Sequence, residues 1–214
     1  MMKNYGIPVA AEGWPFIVPL TVVTAILFAL GWKNTGALAL VVTLFVLFFF
    51  RDPERPVPRG EGIVVSPADG RVIIVTDHYE PDFLKTEVKK ISIFLSVFNV
   101  HVNRVPIGGT VEQVKYQPGK FLVASVDKAS TDNEQTAVVI RQGKHKVLVK
   151  QIAGLIARRI VCYAKPGDQV RTGERYGLIR FGSRVDIFLP KDADIMVKVG
   201  DRIKGSRDVI GVLK

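Results

Sequence analysis

Residues 180–190 read RFGSRVDIFLP. The runs Tyr176–Phe181 and Val185–Leu189 are rich in β-branched and aromatic residues and predict strands on either side of Gly182-Ser183. Glycine weakens a strand and marks a bend or a close backbone approach. Serine has little strand preference. The pair therefore interrupts what otherwise reads as a buried strand, and Ser183 stands first in the last 32 residues of the chain. Two readings are open: a bulge or turn, or a site of chemistry.

Working outward, the body is mainly β. Ile63–Ser66 and Arg71–Thr76 flank the turn Pro67-Ala68-Asp69-Gly70. Lys90–Leu95, Gly109–Tyr116, Phe121–Val123, Thr136–Arg141 and Lys146–Ile152 continue the series, and Ile156–Tyr163 reads as a strand or a short helix. Short strands with frequent glycine turns predict a barrel or sandwich in a mainly β (α+β) fold. Lys165–Glu174 is a turn-strand-turn pattern that resembles the hammerhead of biotinyl and lipoyl carrier domains. Those carriers need a modifiable lysine at a hairpin tip, and here the corresponding region carries Gly182-Ser183.

The other end of the chain is different in kind. Trp14–Trp32 has no charge over 19 residues, and Ala37–Phe50 has none over 14. The first run is long enough to span a bilayer. The second is about 21 Å long as a helix, short of a hydrocarbon core of roughly 30 Å. A hairpin turning at Asn34-Thr35-Gly36 follows, either spanning or re-entrant, with both ends on one side. A cleaved signal peptide is disfavoured by the length of the first run and by the second run behind it. Arg51, Arg55 and Arg59 crowd the exit, which predicts a body in the cytoplasm. The division expected is an anchoring hairpin at 1–50, a stiff proline-rich linker at 51–60 and a β-rich body at 61–214.

Charge follows the same division. Residues 1–50 carry two lysines and one acid, net +1, whereas residues 51–214 carry 28 Lys/Arg and 19 Asp/Glu, net +9. A basic body favours anionic partners, and the hydrophobic head points to lipid rather than nucleic acid. The body also lacks the aromatic-basic strand motif of RNA binders. The single cysteine, Cys162, excludes an internal disulfide and reads as a buried strand thiol. No Cys/His cluster has zinc spacing, so no metal is expected.

Three polar features stand out against the β pattern. SPADG (66–70) reads on its own as a type I turn, with Asp69 bonding local N–H groups. FNVHVNRVP (98–106) sets His101, Asn103 and Arg104 in an apolar stretch, a costly grouping to bury without purpose. Gly182-Ser183 is the third. An Asp, a His and a Ser form an acid-base-nucleophile set, but the hydrolase elbow G-x-S-x-G is absent. A Gly before Ser suits another reaction, in which the hydroxyl attacks the carbonyl of its own preceding residue. Glycine is unhindered and accepts the strained geometry. The product is an ester, from which β-elimination breaks the chain. His78 and His145 read as exposed loop histidines.

SPADG, VHVNRVP and FGSRVDIFLP in this order, behind a hydrophobic head that runs into FFFRDPERPVP, resemble the short prokaryotic form of the phosphatidylserine decarboxylase family over nearly the whole chain. The resemblance implies a proenzyme that cuts itself between Gly182 and Ser183. A β chain of 1–182 and an α chain of 183–214 result, with Ser183 converted to a pyruvoyl group and ammonia released. That group is the covalent cofactor, and no metal is implied. A Schiff base with the substrate amine would then drain electrons from the carboxylate, and phosphatidylserine would become phosphatidylethanolamine. By matching motifs, Ser183 is the nucleophile, Gly182 supplies the attacked carbonyl, Asp69 orients or charge-balances a histidine, and His101 is base and proton donor. Long-form members carry Tyr-His-x-x-His-x-Pro. Aligned on Pro106, His101 takes the first histidine position and Arg104 stands at the second. Arg104 and Asn103 are the expected substrate-binding residues, Arg104 for phosphate or carboxylate.

The implied partners are an anionic phospholipid, the cell membrane and the chain's own two fragments. A homo-oligomer is compatible with the sequence, and nucleic acid is not expected. Two alternatives remain: the same chemistry on another serine-headed lipid such as archaetidylserine, and a non-catalytic membrane-tethered lipoyl-like module.

Overall fold

The computed structural model describes residues 8–120, 132–154, 159–180 and 182–214. It divides into two compact units, one up to Glu54 and one from Arg55 to Lys214.

In the first unit, a 3-10 turn at Ala11–Gly13 leads into α1 (Trp14–Ala29), and α2 (Lys33–Phe49) follows. The helix Ala11–Ala29, counted with its leading turn, is long and apolar enough to cross a membrane; α2 is apolar but shorter. The chain reverses at Leu30-Gly31-Trp32, not at the polar Asn34-Thr35-Gly36, which begins α2. The reason is Gly31, whose φ of 76° is left-handed. Its N–H bonds Phe28 O at 3.0 Å while Trp32 N–H bonds Leu27 O at 3.0 Å. This is a Schellman cap that closes the helix end within the apolar run. The helices meet through small residues: Thr24 and Thr43 hydroxyls lie 3.1 Å apart, and Gly36 sits against the Phe28 ring.

The second unit is antiparallel β. Its strands are β1 (Ile63–Val65), β2 (Gly70–Glu80), β3 (Thr86–Leu95), β4 (Val102–Arg104), β5 (Gly109–Gln117), β6 (Gln135–Gln142) and β7 (His145–Ala153). Then come β8 (Ile160–Cys162), β9 (Gln169–Val170), β10 (Arg175–Ile179), β11 (Ser183–Pro190), β12 (Asp194–Ile195), β13 (Arg202–Ile203) and β14 (Val209–Val212). Eight of them form one sheet in the order β13-β2-β3-β11-β7-β6-β5-β9, which curls into a half-barrel. Two three-stranded sheets, β1-β14-β12 and β4-β10-β8, complete the unit. The expected strands are present, mostly a few residues longer than their apolar runs; Phe121–Val123 lies outside the described residues. Of Ile156–Tyr163, residues 156–158 lie outside the described residues and Ile160–Cys162 is strand.

The decisive strand is β11. It lies between β3 and β7, and both of its faces are buried. Val185, Ile187 and Leu189 join Ile91, Ile93, Leu95 and Val149 in the main core, while Phe188 packs with Leu148, Ala137 and Val139 on the other side. Each such aliphatic side chain contributes about 1.5–3 kcal/mol when fully buried. Gly182 lies just before this strand and Ser183 is its first residue, so the pair does not interrupt a single strand. β10 belongs to one sheet and β11 to another, and the pair is where the chain passes between them.

Residues 183–214 are woven into the rest. They supply β11 between β3 and β7, β13 beside β2, and β14 beside β1. The pattern at Lys165–Glu174 is two turns around β9: Asp168 Oδ2 accepts from Lys165 N at 2.9 Å, and Glu174 Oε2 accepts from Arg171 N at 2.9 Å.

Candidate active site

Gly182 has a φ of 62°, and a Cβ there would meet nothing within 4 Å. The position is open in space but left-handed in backbone, so a larger residue is opposed by about 1–2 kcal/mol of local strain rather than by a clash. Ser183, the next residue, is fully buried, and its hydroxyl has no hydrogen-bond partner among the described residues. A buried hydroxyl left unsatisfied is destabilising and calls for an explanation such as catalysis. The register places Ser183 opposite Leu95 on β3 and Ala153 on β7.

His101 is fully buried just before β4. Its backbone carbonyl accepts from Ile179 N at 3.4 Å, which ties the histidine to the end of β10 beside the Gly182 joint. Its Nδ1 lies 2.9 Å from Asn99 O. A carbonyl only accepts, so Nδ1 carries the hydrogen. In the neutral ring Nε2 then holds the lone pair, the form a general base needs. Asn99 is itself fixed, its Oδ1 accepting from Ser96 N at 2.9 Å and Ser96 Oγ at 2.8 Å.

The SPADG turn is joined to the same strand, because Arg104 N bonds Pro67 O at 2.9 Å. The Asp69 carboxylate, however, is taken up by Arg55. Arg55 Nη1 donates to Oδ1 and Nη2 to Oδ2 at 2.8 Å, while Gly205 N adds a bond to Oδ1 at 2.8 Å. Nothing in the local sequence of SPADG signals this partner, which comes from the linker 14 residues earlier. The pair is largely buried, so removing one member leaves an uncompensated charge. Arg55→Ala is expected to lower stability by about 3 kcal/mol, measured as a fall in the thermal midpoint of the purified protein.

Asn103 and Arg104 are both buried. Asn103 Oδ1 accepts from Gln151 Nε2 at 2.8 Å, and Arg104 Nη1 reaches Gly173 O at 3.3 Å. Gln151 on β7, unsuspected from sequence, shares the sheet face of Ser183 through the register Val185↔Gln151 and Ser183↔Ala153.

Sequence reasoning also missed a charged cluster on the opposite face of β11. Arg184 and Asp186 are fully buried; Arg184 Nε donates to Asp186 Oδ1 at 2.6 Å and Nη2 to Ser92 Oγ at 2.8 Å. Lys90 lies 3.3 Å from Asp186. Two charged residues at a spacing of two in an apolar strand were the available signal. Nearby, His78 is half-buried in β2, not in a loop, and His145 opens β7. Burial and the Lys90 and Lys150 charges push His78 below its ordinary pKa. Cys162 lies in β8, half-buried, and burial raises its thiol pKa.

Glu80 sits beside this cluster. Burial alone would raise its pKa, but the N–H groups of Leu84 and Phe83 and the Lys150 ammonium outweigh burial and hold it below the usual range. Its stabilising effect is therefore present above the ordinary glutamate pKa and lost as pH falls through the lowered value. Wild-type protein should lose thermal stability on acidification through that window, and Glu80→Gln should flatten that limb of the curve. Among the described residues, no group of three or more His, Cys, Asp or Glu side chains is placed to hold a metal ion.

A sequence model for phosphatidylserine decarboxylase matches residues 42–211. The chain belongs to the phosphatidylserine decarboxylase family. Among its relatives, the phosphatidylserine decarboxylase proenzyme of Geotalea uraniireducens is 50% identical over 213 residues, covering 99% of this chain and 100% of that protein. The proenzyme of Syntrophotalea carbinolica is 50% identical over the full length of both chains. That of Cupriavidus taiwanensis is 46% identical over 213 residues, covering 98% of each. The family is pyruvoyl-dependent.

Proposed function

We infer that this chain is a self-processing, pyruvoyl-dependent decarboxylase that converts phosphatidylserine to phosphatidylethanolamine, and that it cuts itself between Gly182 and Ser183. One observation carries the cleavage assignment: a left-handed glycine at a passage between sheets, followed by a buried serine hydroxyl with no partner among the described residues. Ser183 Oγ would attack the Gly182 carbonyl carbon, and the peptide C–N bond would give way to an ester. Loss of the Ser183 α-proton then expels the Gly182 carboxylate and leaves a dehydroalanine. Water converts its enamine to the ketone and releases ammonia.

The resulting pyruvoyl group supplies an electrophilic carbonyl for the substrate amine and a sink for the electron pair left as carbon dioxide departs. The chain's own residues do the rest. His101, with Nδ1 held by Asn99, presents Nε2 to take and return protons. Asp69, clamped by Arg55 and Gly205, acts by tying the SPADG turn to the linker and to the turn after β13. Asn103, locked to Gln151, and Arg104 border the substrate site.

The apolar helices support anchoring at a membrane, and the arginines that follow α2 favour a body in the cytoplasm. The two turns around β9 support a hammerhead-like element within a barrel-like body. The rival carrier-module reading predicts an intact chain. The mass spectrum of denatured, purified protein separates the two. Fragments 1–182 and 183–214, the smaller lighter by one ammonia than a serine start, are expected; an intact folded wild-type chain would refute self-cleavage.

A further inference from the structure

The structure has a cavity of about 620 Å³ with a cationic wall that the reaction chemistry above leaves unused. Arg71, Arg202 and Lys204 line it, together with Ser96, Asn99 and Phe98. Arg71 and Arg202 are exposed and stand directly opposite each other across β2 and β13. Like charges in that relation destabilise a sheet unless something lies between them. Neither guanidinium has a carboxylate partner among the described residues, and Asp69, on the same wall, is already bound by Arg55.

The cavity is lined by Phe94 and Ser96, the neighbours in sequence of Leu95, which is the register partner of Ser183. Arg71 pairs with Phe94 and Phe94 with Arg184, so these side chains share one sheet face. Arg71 lies two strands from β11, about 10 Å at ordinary strand spacing, a distance that an extended arginine largely covers. Ser183 is one residue earlier and points to the other face, but it is the first residue of its strand. A substrate there can pass round the strand end. Ser96 follows Leu95, the register partner of Ser183, and Asn99 supplies the carbonyl that holds His101. The cavity wall and the base are thus built from the same turn.

We propose that Arg71 and Arg202, assisted by Lys204, bind the phosphodiester of the substrate headgroup; the proposal rests on the decarboxylase reading above. In a serine-headed phospholipid the phosphorus is only a few bonds from the carbon that bears the amine. With the amine at Ser183, the proposal puts the phosphate on the arginine side of the strand end. The carboxylate is the poorer candidate for this site. It must leave as carbon dioxide, and strong ion pairing would stabilise the ground state against that loss. The phosphate does not react. Its binding is shared by ground and transition states, so it lowers KM and leaves kcat alone. The exposed Phe98 gives the cavity an apolar rim for the glycerol end of the lipid.

The test uses Arg71→Gln, Arg202→Gln and Lys204→Gln in the full-length chain. Processing is checked by mass spectrum. Turnover is measured on phosphatidylserine in neutral-detergent micelles and on a water-soluble short-chain phosphatidylserine. The expected result is normal processing, kcat within about twofold, and KM raised on the order of tenfold or more for each arginine variant on both substrates. Arg71→Lys should recover part of the loss. A KM shift confined to micelles would assign these cations to the lipid surface and overturn the proposal; an unchanged KM on both substrates would overturn it outright. Arg202 and Lys204 are exposed, so they keep the test alive if Arg71→Gln fails to fold. A wild-type protein that is uncut or inactive would instead overturn the decarboxylase reading.

Discussion

Ser183→Ala is expected to remain one chain of 214 residues, folded and without decarboxylase activity. The substitution removes the attacking oxygen and leaves the Gly182 joint as it is. It should not harm the fold. Ser183 pairs through its backbone with β3 and β7, and the alanine methyl occupies the place of a hydroxyl that has no partner among the described residues. Removing a buried unsatisfied hydroxyl is neutral or stabilising by up to roughly 1–3 kcal/mol. The uncut variant should therefore melt at or above the wild-type midpoint. The wild-type fragments should stay together under native conditions and separate only on denaturation, because 183–214 contributes strands to two sheets. A cut Ser183→Ala chain would remove Ser183 as nucleophile. An uncut chain with a strongly lowered midpoint would point to a structural role instead.

Much of the fold was legible because strands announce themselves. β-branched runs between glycine and proline turns located nearly every long strand of the body, and the charge-free runs located both helices. Where reading failed, the deciding contact was distant in sequence or hidden in backbone geometry. Residues 176–189 looked like one interrupted strand because local pattern cannot report a change of sheet; β10 and β11 have different neighbours, β4 and β8 for one and β3 and β7 for the other. The helical turn was placed on the polar residues, whereas the Gly31 cap reverses the chain inside the apolar run. The site shows the same limit. Ser183, His101 and Asp69 could be named from their motifs, but not that Arg55 takes the Asp69 carboxylate or that Asn99 sets the His101 tautomer. Arg184 and Asp186 were visible as charges in a strand, yet only the sheet register brings Ser92 and Lys90 to them.

His101→Gln is expected to lower kcat of the processed enzyme by 100-fold or more, within the range of about 10²–10⁴ for a lost general acid-base group. Glutamine is the informative replacement. It keeps the length and polarity of the imidazole, and the turn at Ser96–Asn99 is held separately by the bonds of Asn99 Oδ1 to Ser96 N and Oγ, so the turn should persist and the thermal midpoint should change little. What glutamine lacks is a nitrogen lone pair that accepts and returns a proton near neutral pH. A structural role for His101 predicts the reverse pattern, a lowered midpoint with kcat preserved. Processing must be scored separately, since the histidine can serve both the opening of the peptide bond and the later proton return. Slow but complete self-cleavage followed by poor turnover would assign His101 to both steps. Prompt cleavage with poor turnover would confine it to proton return. In that case activation of Ser183 would fall to the open Gly182 joint and the groups around the SPADG turn. Fully processed His101→Gln protein that turns over at the wild-type rate would remove His101 from the chemistry altogether.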